Sequence, residues 1–210
     1  MPKIVDHEAR RREIVDAYLA VLGRAGATGT TGRTVAAELG LTPGTLWHYF
    51  ASVEQIAEAA ARRGVLRTIE RIAGRTAGQR GLEALLGIAE EVLPLDATTR
   101  AEAQVVVAFW GTAEPLASPG LRLGRVPEFE ALTTTALREA VDDGELAAAT
   151  PIRSLVRLLD SVYAGEQVIA VADAGDRESE DHRAAVELCL RPWAATEQAR
   201  RRLRAWAGGR

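Results

Sequence analysis

One segment near the start of the chain restricts its fold more than any other: Thr34 to Phe50, reading TVAAELGLTPGTLWHYF. Val35, Ala36 and Leu39 fall at helical spacing and give one apolar face to a short helix, expected from Thr31 to Leu39. Thr30 or Thr31 can cap its free N–H groups. Gly40 ends it, because glycine enters the left-handed conformation without a Cβ clash. Thr42 is the next cap, and Pro43 occupies a first helical position, where its missing N–H costs nothing. A second helix is expected from Pro43 to Tyr49. Leu41, Leu46 and Phe50 supply the apolar plug between the two. Short helices joined by so tight a glycine turn form a helix-turn-helix. The second helix of such a unit lies in the DNA major groove, with its N-terminal residues at the base edges.

The rest of the chain is patterned for helices. Ala, Leu, Arg and Glu dominate, and no convincing alternation of β-branched and polar residues marks a strand. Ile14, Ala17, Tyr18, Val21 and Leu22 make one stripe of a first helix expected from Asp6 to Gly23. The stretch GRAGATGTTG contains no G-x-G and no following lysine, which excludes dinucleotide and phosphate loops and reads as a flexible connector. Ser52 is the expected cap of a helix running from Val53 into the low 70s. Further helices are expected at 80–92, 97–112, 121–142, 152–173, 180–191 and 193–207. Pro94, Pro115, Pro119, Gly120, Gly144, Pro151, Gly175 and Pro192 punctuate them. The fold class is all-α, divided into a domain over 1–52 and a second over 53–210.

Charge and composition exclude several classes. The net charge is −3, yet residues 1–50 hold six Lys/Arg against five Asp/Glu, and the remainder 20 against 24. The N-terminal end is slightly basic and the rest acidic, a distribution compatible with one small positive face for DNA. No apolar run is long enough to span a bilayer, and the N-terminus has no apolar leader. A cytoplasmic location is expected. Cys189 is the single cysteine and forbids an intramolecular disulfide. His7, His48 and His182 are scattered, and neither HExxH, CxxC nor G-x-S-x-G occurs, so no enzyme, cofactor or metal site is expected.

The helix-turn-helix segment resembles the TetR family, whose DNA-binding stretch reads roughly T-x-x-x-I-A-x-x-A-G-V-S-x-G-T-L-Y-x-H/Y-F. Val35, Ala36, Gly40, Leu41, Thr42, Gly44, Thr45, Leu46, Trp47, Tyr49 and Phe50 match it in order, identically or conservatively. The run LLDSVYAGEQVIAV and the closing LRPWA resemble, more loosely, the choline-responsive branch. The resemblance implies an N-terminal three-helix helix-turn-helix domain and a C-terminal helical domain for ligand binding and dimerisation. It implies roles too. Thr42 is the recognition-helix cap near a phosphate, and Gly44 lets the backbone approach the DNA. Pro43, Thr45 and His48 face base edges, Trp47 and Tyr49 press on sugar and phosphate, and Arg33 and Thr34 contact phosphate or groove. Two positions depart from the pattern. Gly32 stands where a buried β-branched residue is usual, so the second helix is expected to start loosely. Val53 stands where a phosphate-binding lysine is common. The recognition helix itself has no Lys or Arg, which argues against bidentate guanine readout. Arg10, Arg11 and Arg12 are either DNA-facing or a solvated helix face.

For the C-terminal domain, the apolar stretch 152–173 reads as a helix buried on all sides, against its own core and a partner subunit. The resemblance implies a homodimer on a palindromic double-stranded operator, released by a small-molecule effector. A ligand-independent regulator or activator of the same fold is the alternative. Candidate ligand residues are Gln104, Phe109, Trp110, Glu114, Phe129, Tyr163 and Gln167. Trp110 and Glu114 lie four apart and share a helix face, where a ring beside a carboxylate suits a cation.

Overall fold

The computed structural model describes residues 3–112, 127–172 and 178–209. Its helices in chain order are α1 Lys3–Gly29, α2 Gly32–Glu38, α3 Pro43–Leu46, α4 Val53–Arg75, α5 Gly81–Val92, α6 Ala97–Thr112, α7 Pro127–Asp142, α8 Ile152–Ala172, α9 Ser179–Leu190 and α10 Glu197–Ala207. The described residues contain no strand; one isolated bridge pairs Leu146 with Ala194. By contact the chain divides into two compact units, Met1–Val65 with Gln104–Ala117, and Leu66–Ala103 with Ser118–Arg210. The division falls inside α4 and inside α6.

The first unit is built on the α1 stripe. Ile14, Tyr18, Val21 and Leu22 are buried, as are Val35, Ala36, Leu46, Phe50 and Ile56. α1 packs on α2, and α2 on α3. The glycine-rich stretch is not a loose connector. Helix α1 continues through Gly23 to Gly29 with one kink at Gly26, whose φ of 67° only glycine adopts easily. A helical glycine costs only about 1 kcal/mol relative to alanine, so tertiary contacts override it. Here Arg24 in the extension pairs with Glu38 of α2 at 2.5 Å, and the Thr30 hydroxyl donates to the Gly26 carbonyl.

The second unit has its own core. Leu82, Leu85 and Leu93 on and after α5, Leu137 on α7, Leu159 on α8 and Leu190 on α9 are fully buried. α5 packs on α7, α7 on α8, α8 on α9 and α9 on α10. The start of α5 has no side-chain cap of its own. Carboxylates from the end of α7 serve instead: Gly81 N donates to Glu139 at 3.1 Å and Leu82 N to Glu145 at 2.7 Å. A Cβ on Gly81 would stand 2.6 Å from that Glu145 oxygen, so the approach needs glycine.

Two expectations for this unit are corrected. The helix foreseen over 193–207 begins at Glu197. Arg191–Trp193 form a 3-10 turn, and Thr196 caps α10, its hydroxyl accepting from Ala199 N at 3.0 Å. The backbone of Glu145 and Ala147 pairs with Ala195 and Trp193, which takes this stretch out of the helix. Helix α8 is not buried all round within the chain. Leu155, Val156, Leu159 and Tyr163 face the core, whereas Leu158, Val168 and Val171 are exposed, as is Leu188 on α9. The helix expected from 121 is described from Pro127 onward.

Candidate nucleic-acid interface

The turn between α2 and α3 is closed by backbone hydrogen bonds. Gly40, at φ 65°, follows the C-cap Leu39. Gly40 N donates to Ala37 and Leu41 N to Ala36. This paired closure satisfies carbonyls that the helix end leaves open. Upstream, Thr31 caps α2 in a reciprocal box: Thr34 N donates to the Thr31 hydroxyl at 3.2 Å, and Thr31 N to the Thr34 hydroxyl at 2.8 Å. Helix α2 therefore starts firmly and not loosely, despite Gly32. The Thr34 hydroxyl is itself committed to this box and to the Gly29 carbonyl.

The recognition element is shorter in α-helix than its sequence predicts. Only Pro43–Leu46 is α-helical, and Trp47–Tyr49 continue as turns. His48 N and Tyr49 N reach back three residues, to Thr45 and Leu46. The Thr42 hydroxyl accepts from Thr45 N at 3.3 Å and shares a hydrogen with the Thr45 hydroxyl at 3.0 Å. Beneath the element, Leu46 and Phe50 are buried. Above it, Thr42, Pro43, Gly44, Trp47 and His48 are exposed, and Thr45 and Tyr49 half-exposed. Arg33 is exposed on α2. Seven of the nine predicted contact residues thus lie exposed or half-exposed between Thr42 and Tyr49, Arg33 and Thr34 are exposed on α2, and α3 carries no Lys or Arg.

The N-terminal arginines divide, as their sequence could not show. Arg11 donates to the Tyr49 carbonyl and stacks over the Phe50 ring, 4.0 Å from its centroid. Arg10 pairs with Glu13 at 2.7 Å. Arg12 is exposed. His7 stacks near Tyr49, with centroids 5.0 Å apart. Arg11 is therefore a brace for the recognition element. Its signal was present as an arginine on the first helix, but its partner lies 38 residues away.

The predicted ligand residues do not assemble into one described site. Gln104 is exposed and Phe109 buried, both in the first unit. Glu114 and the side chain of Trp110 lie outside the described residues. Phe129, Tyr163 and Gln167 belong to the second unit. Gln167 donates to the Val92 carbonyl at 3.0 Å. The Tyr163 hydroxyl is buried without a hydrogen-bond partner, and burial foremost pushes its pKa up. The Thr133 hydroxyl on α7, which sequence reasoning passed over, is likewise buried and unpartnered. A cleft of about 530 Å³ lies elsewhere in this unit. Arg75, Glu90, Arg183, Arg202 and Trp206 line it, and its arginines are paired with Glu91, Glu90 and Glu145. The described residues hold no metal-binding cluster, and no described helix is long and apolar enough to cross a membrane.

The chain is thus a helix-turn-helix segment followed in sequence by a helical body. The family model described as "Bacterial regulatory proteins, tetR family" matches residues 14–60. The HTH-type transcriptional regulator PksA of Bacillus subtilis is 34% identical over 112 residues, which are 52% of this chain and 54% of that protein. The chain thus aligns with about half the length of that relative. Among solved structures, a transcriptional regulator from Saccharomonospora viridis in complex with choline superposes with a TM-score of 0.74 at 19% identity, covering 88% of this chain and 96% of that one. The TetR-family protein CprB from Streptomyces coelicolor, in complex with its operator sequence, superposes at 0.68 and 22% identity, covering 97% and 96%. Residues 14–60 thus match the DNA-binding segment of the TetR family of bacterial regulators, and the relatives that the chain resembles over about half their length are transcriptional regulators.

Proposed function

We propose that the protein is a homodimeric transcriptional repressor that binds a palindromic operator and is released by a small-molecule effector. The observation that carries this reading is the exposed stretch Thr42–Tyr49, clamped from below by buried Leu46 and Phe50 and braced by Arg11. Arg33, Thr34, Thr42, Pro43, Gly44, Thr45, Trp47, His48 and Tyr49 are the proposed DNA contacts. With no basic residue on α3, thymine methyl contacts, His48 and DNA shape carry the sequence preference. Residues 1–52 form the DNA-binding domain and 53–210 the effector and dimerisation domain.

The exposed Leu158, Val168 and Val171 of α8, with Leu188 of α9, support a second copy as partner. Apolar side chains on one such face are what an isologous interface needs. The unpartnered Tyr163 and Thr133 hydroxyls support an effector with hydrogen-bonding groups. Effector binding shifts α4 and with it the spacing of the two recognition helices. For this the effector must bind the free and DNA-bound states with different affinity.

Selection of duplexes from a random pool tests the reading. The expected product is an inverted repeat with half-sites a whole number of helical turns apart. Absence of any enriched sequence, or a single unrepeated site, overturns it. Titration of the bound operator with choline-type quaternary ammonium compounds is the first effector test, since the Saccharomonospora viridis neighbour was solved with choline.

A further inference from the structure

The two positions that depart from the family pattern, Gly32 and Val53, meet at one place. Gly32 is the first residue of α2 and is buried. A Cβ on it would stand 2.5 Å from both Cη2 and Cζ2 of Trp47, and 3.6 Å from Cγ2 of Val53. Carbon atoms in contact rest at about 3.5–4.0 Å, so the indole occupies the space that any side chain at 32 would need. A residue smaller than usual at 32 thus accompanies the bulkiest aromatic at 47 and an apolar side chain at 53.

The geometry points to Gly32 as a positioning residue for Trp47, with Val53 as the neighbouring apolar wall. The three act as one unit that sets the indole against the DNA backbone. This rests on the DNA-binding reading above. One edge of the indole lies on Gly32, while Trp47 as a residue remains 41% exposed. No described residue accepts a hydrogen bond from its Nε1. The unit therefore offers a neutral N–H and a ring face to a phosphate. A lysine at 53 would instead bring a charge. A neutral contact displaces no counterion and adds nothing to the salt dependence of binding.

The test is a double-mutant cycle of Gly32→Ala and Trp47→Tyr, with Val53→Lys alongside, on a duplex enriched by the wild-type protein. Gly32→Ala weakens binding about tenfold in the Trp47 background, the scale of one misplaced contact. In the Trp47→Tyr background, which lacks Cη2 and Cζ2, the same change costs less than about twofold. Neither changes the slope of log affinity against log salt. Val53→Lys steepens that slope by about 0.9 per protomer. Equal losses from Gly32→Ala in both backgrounds, or an unchanged slope for Val53→Lys, overturn the proposal. Urea unfolding of the four proteins of the cycle needs no DNA. There, Gly32→Ala lowers the midpoint in the Trp47 background and leaves it unchanged in the Trp47→Tyr background. If no duplex is enriched, the DNA-binding reading fails while this coupling still decides the positioning role, and equal midpoint shifts overturn it.

Discussion

The helix-turn-helix head and the helical body are both all-helical, yet the body adds caps and ion pairs whose partners lie much farther along the chain. In the head, caps are local. Thr31 and Thr34 cap α2, Thr42 caps α3, and the Gln55 side chain accepts from Ala51 N ahead of α4. In the body, Thr196 caps α10 locally, but α5 is capped by Glu139 and Glu145, 58 and 63 residues along the chain. Arg183 reaches Glu90 across 93 residues, and Ser179 reaches the Leu95 carbonyl across 84. A head whose helix caps are local, with Arg11 as a longer-range brace, tolerates change in the residues that face outward. A body fixed by distant partners is sensitive wherever one of them is removed.

That contrast can be broken most forcefully in the body core. Leu85 is fully buried within the α5 contacts, and Leu85→Ala should destabilise by about 2–5 kcal/mol, because the vacated volume is only partly refilled. In urea unfolding followed by hydrogen exchange, protection should fall first in α5 and α7. Equal loss in α1–α3 would show that the two regions unfold as one and would erase the distinction.

The ion-pair network is next in size. Glu91 accepts from Arg71 at 2.7 Å and from Arg75 at 2.5 Å, while Arg71 also pairs with Glu102 at 2.7 Å. Burial by itself pushes the Glu91 pKa up, but the hydrogen bonds from Arg75 and Arg71 outweigh it and hold it below the usual carboxylate range. A carboxylate whose folded pKa lies below its unfolded one stabilises fully above the unfolded value. That stabilisation is lost as pH falls through the folded value. Glu91→Gln should therefore cost about 2 kcal/mol near neutral pH, since a partly buried pair loses one partner. The loss should shrink on acidification, when wild type also protonates. Melting both proteins from neutral to acid pH checks this; a pH-independent gap would mean that packing, not charge, holds α4 to α5.

The smallest effect is expected at the head's local cap. Thr31→Ala removes the acceptor for Thr34 N and should cost about 1 kcal/mol, read as a lower thermal midpoint for the head. Because Thr34 N has no distant substitute, Thr31→Ser should restore most of it. A loss as large as that at Leu85 would mean that the head, too, depends on long-range support.

Legibility followed the same division. A cap at Thr30 or Thr31, which the structure places at Thr31, the stop at Gly40 and the cap at Thr42 could be read directly, since each acts within a few residues. The exposed Thr42–Tyr49 surface followed from the same pattern. What escaped was tertiary. The glycine-rich connector is helix, and its Arg24 pairs with Glu38 of the next helix. The last helix starts late, because the backbone at Ala195 pairs with Glu145. Thr133 was passed over because an isolated threonine on a helix carries no sign of whether its hydroxyl will find a partner.

The sequence by itself determined an all-helical chain, a glycine-turned helix pair and a recognition element without basic residues. These rest on backbone conformational preference, capping and periodicity, which operate over a turn or two of helix. Only the tertiary structure decided that Arg11 braces the element carrying Phe50, and that the Trp47 indole and Val53 both come up against Gly32. It alone also decided that α5 borrows its cap from the end of α7. Each of these depends on which distant atoms come within contact range, a quantity fixed by the packing of whole helices and by no local run of residues.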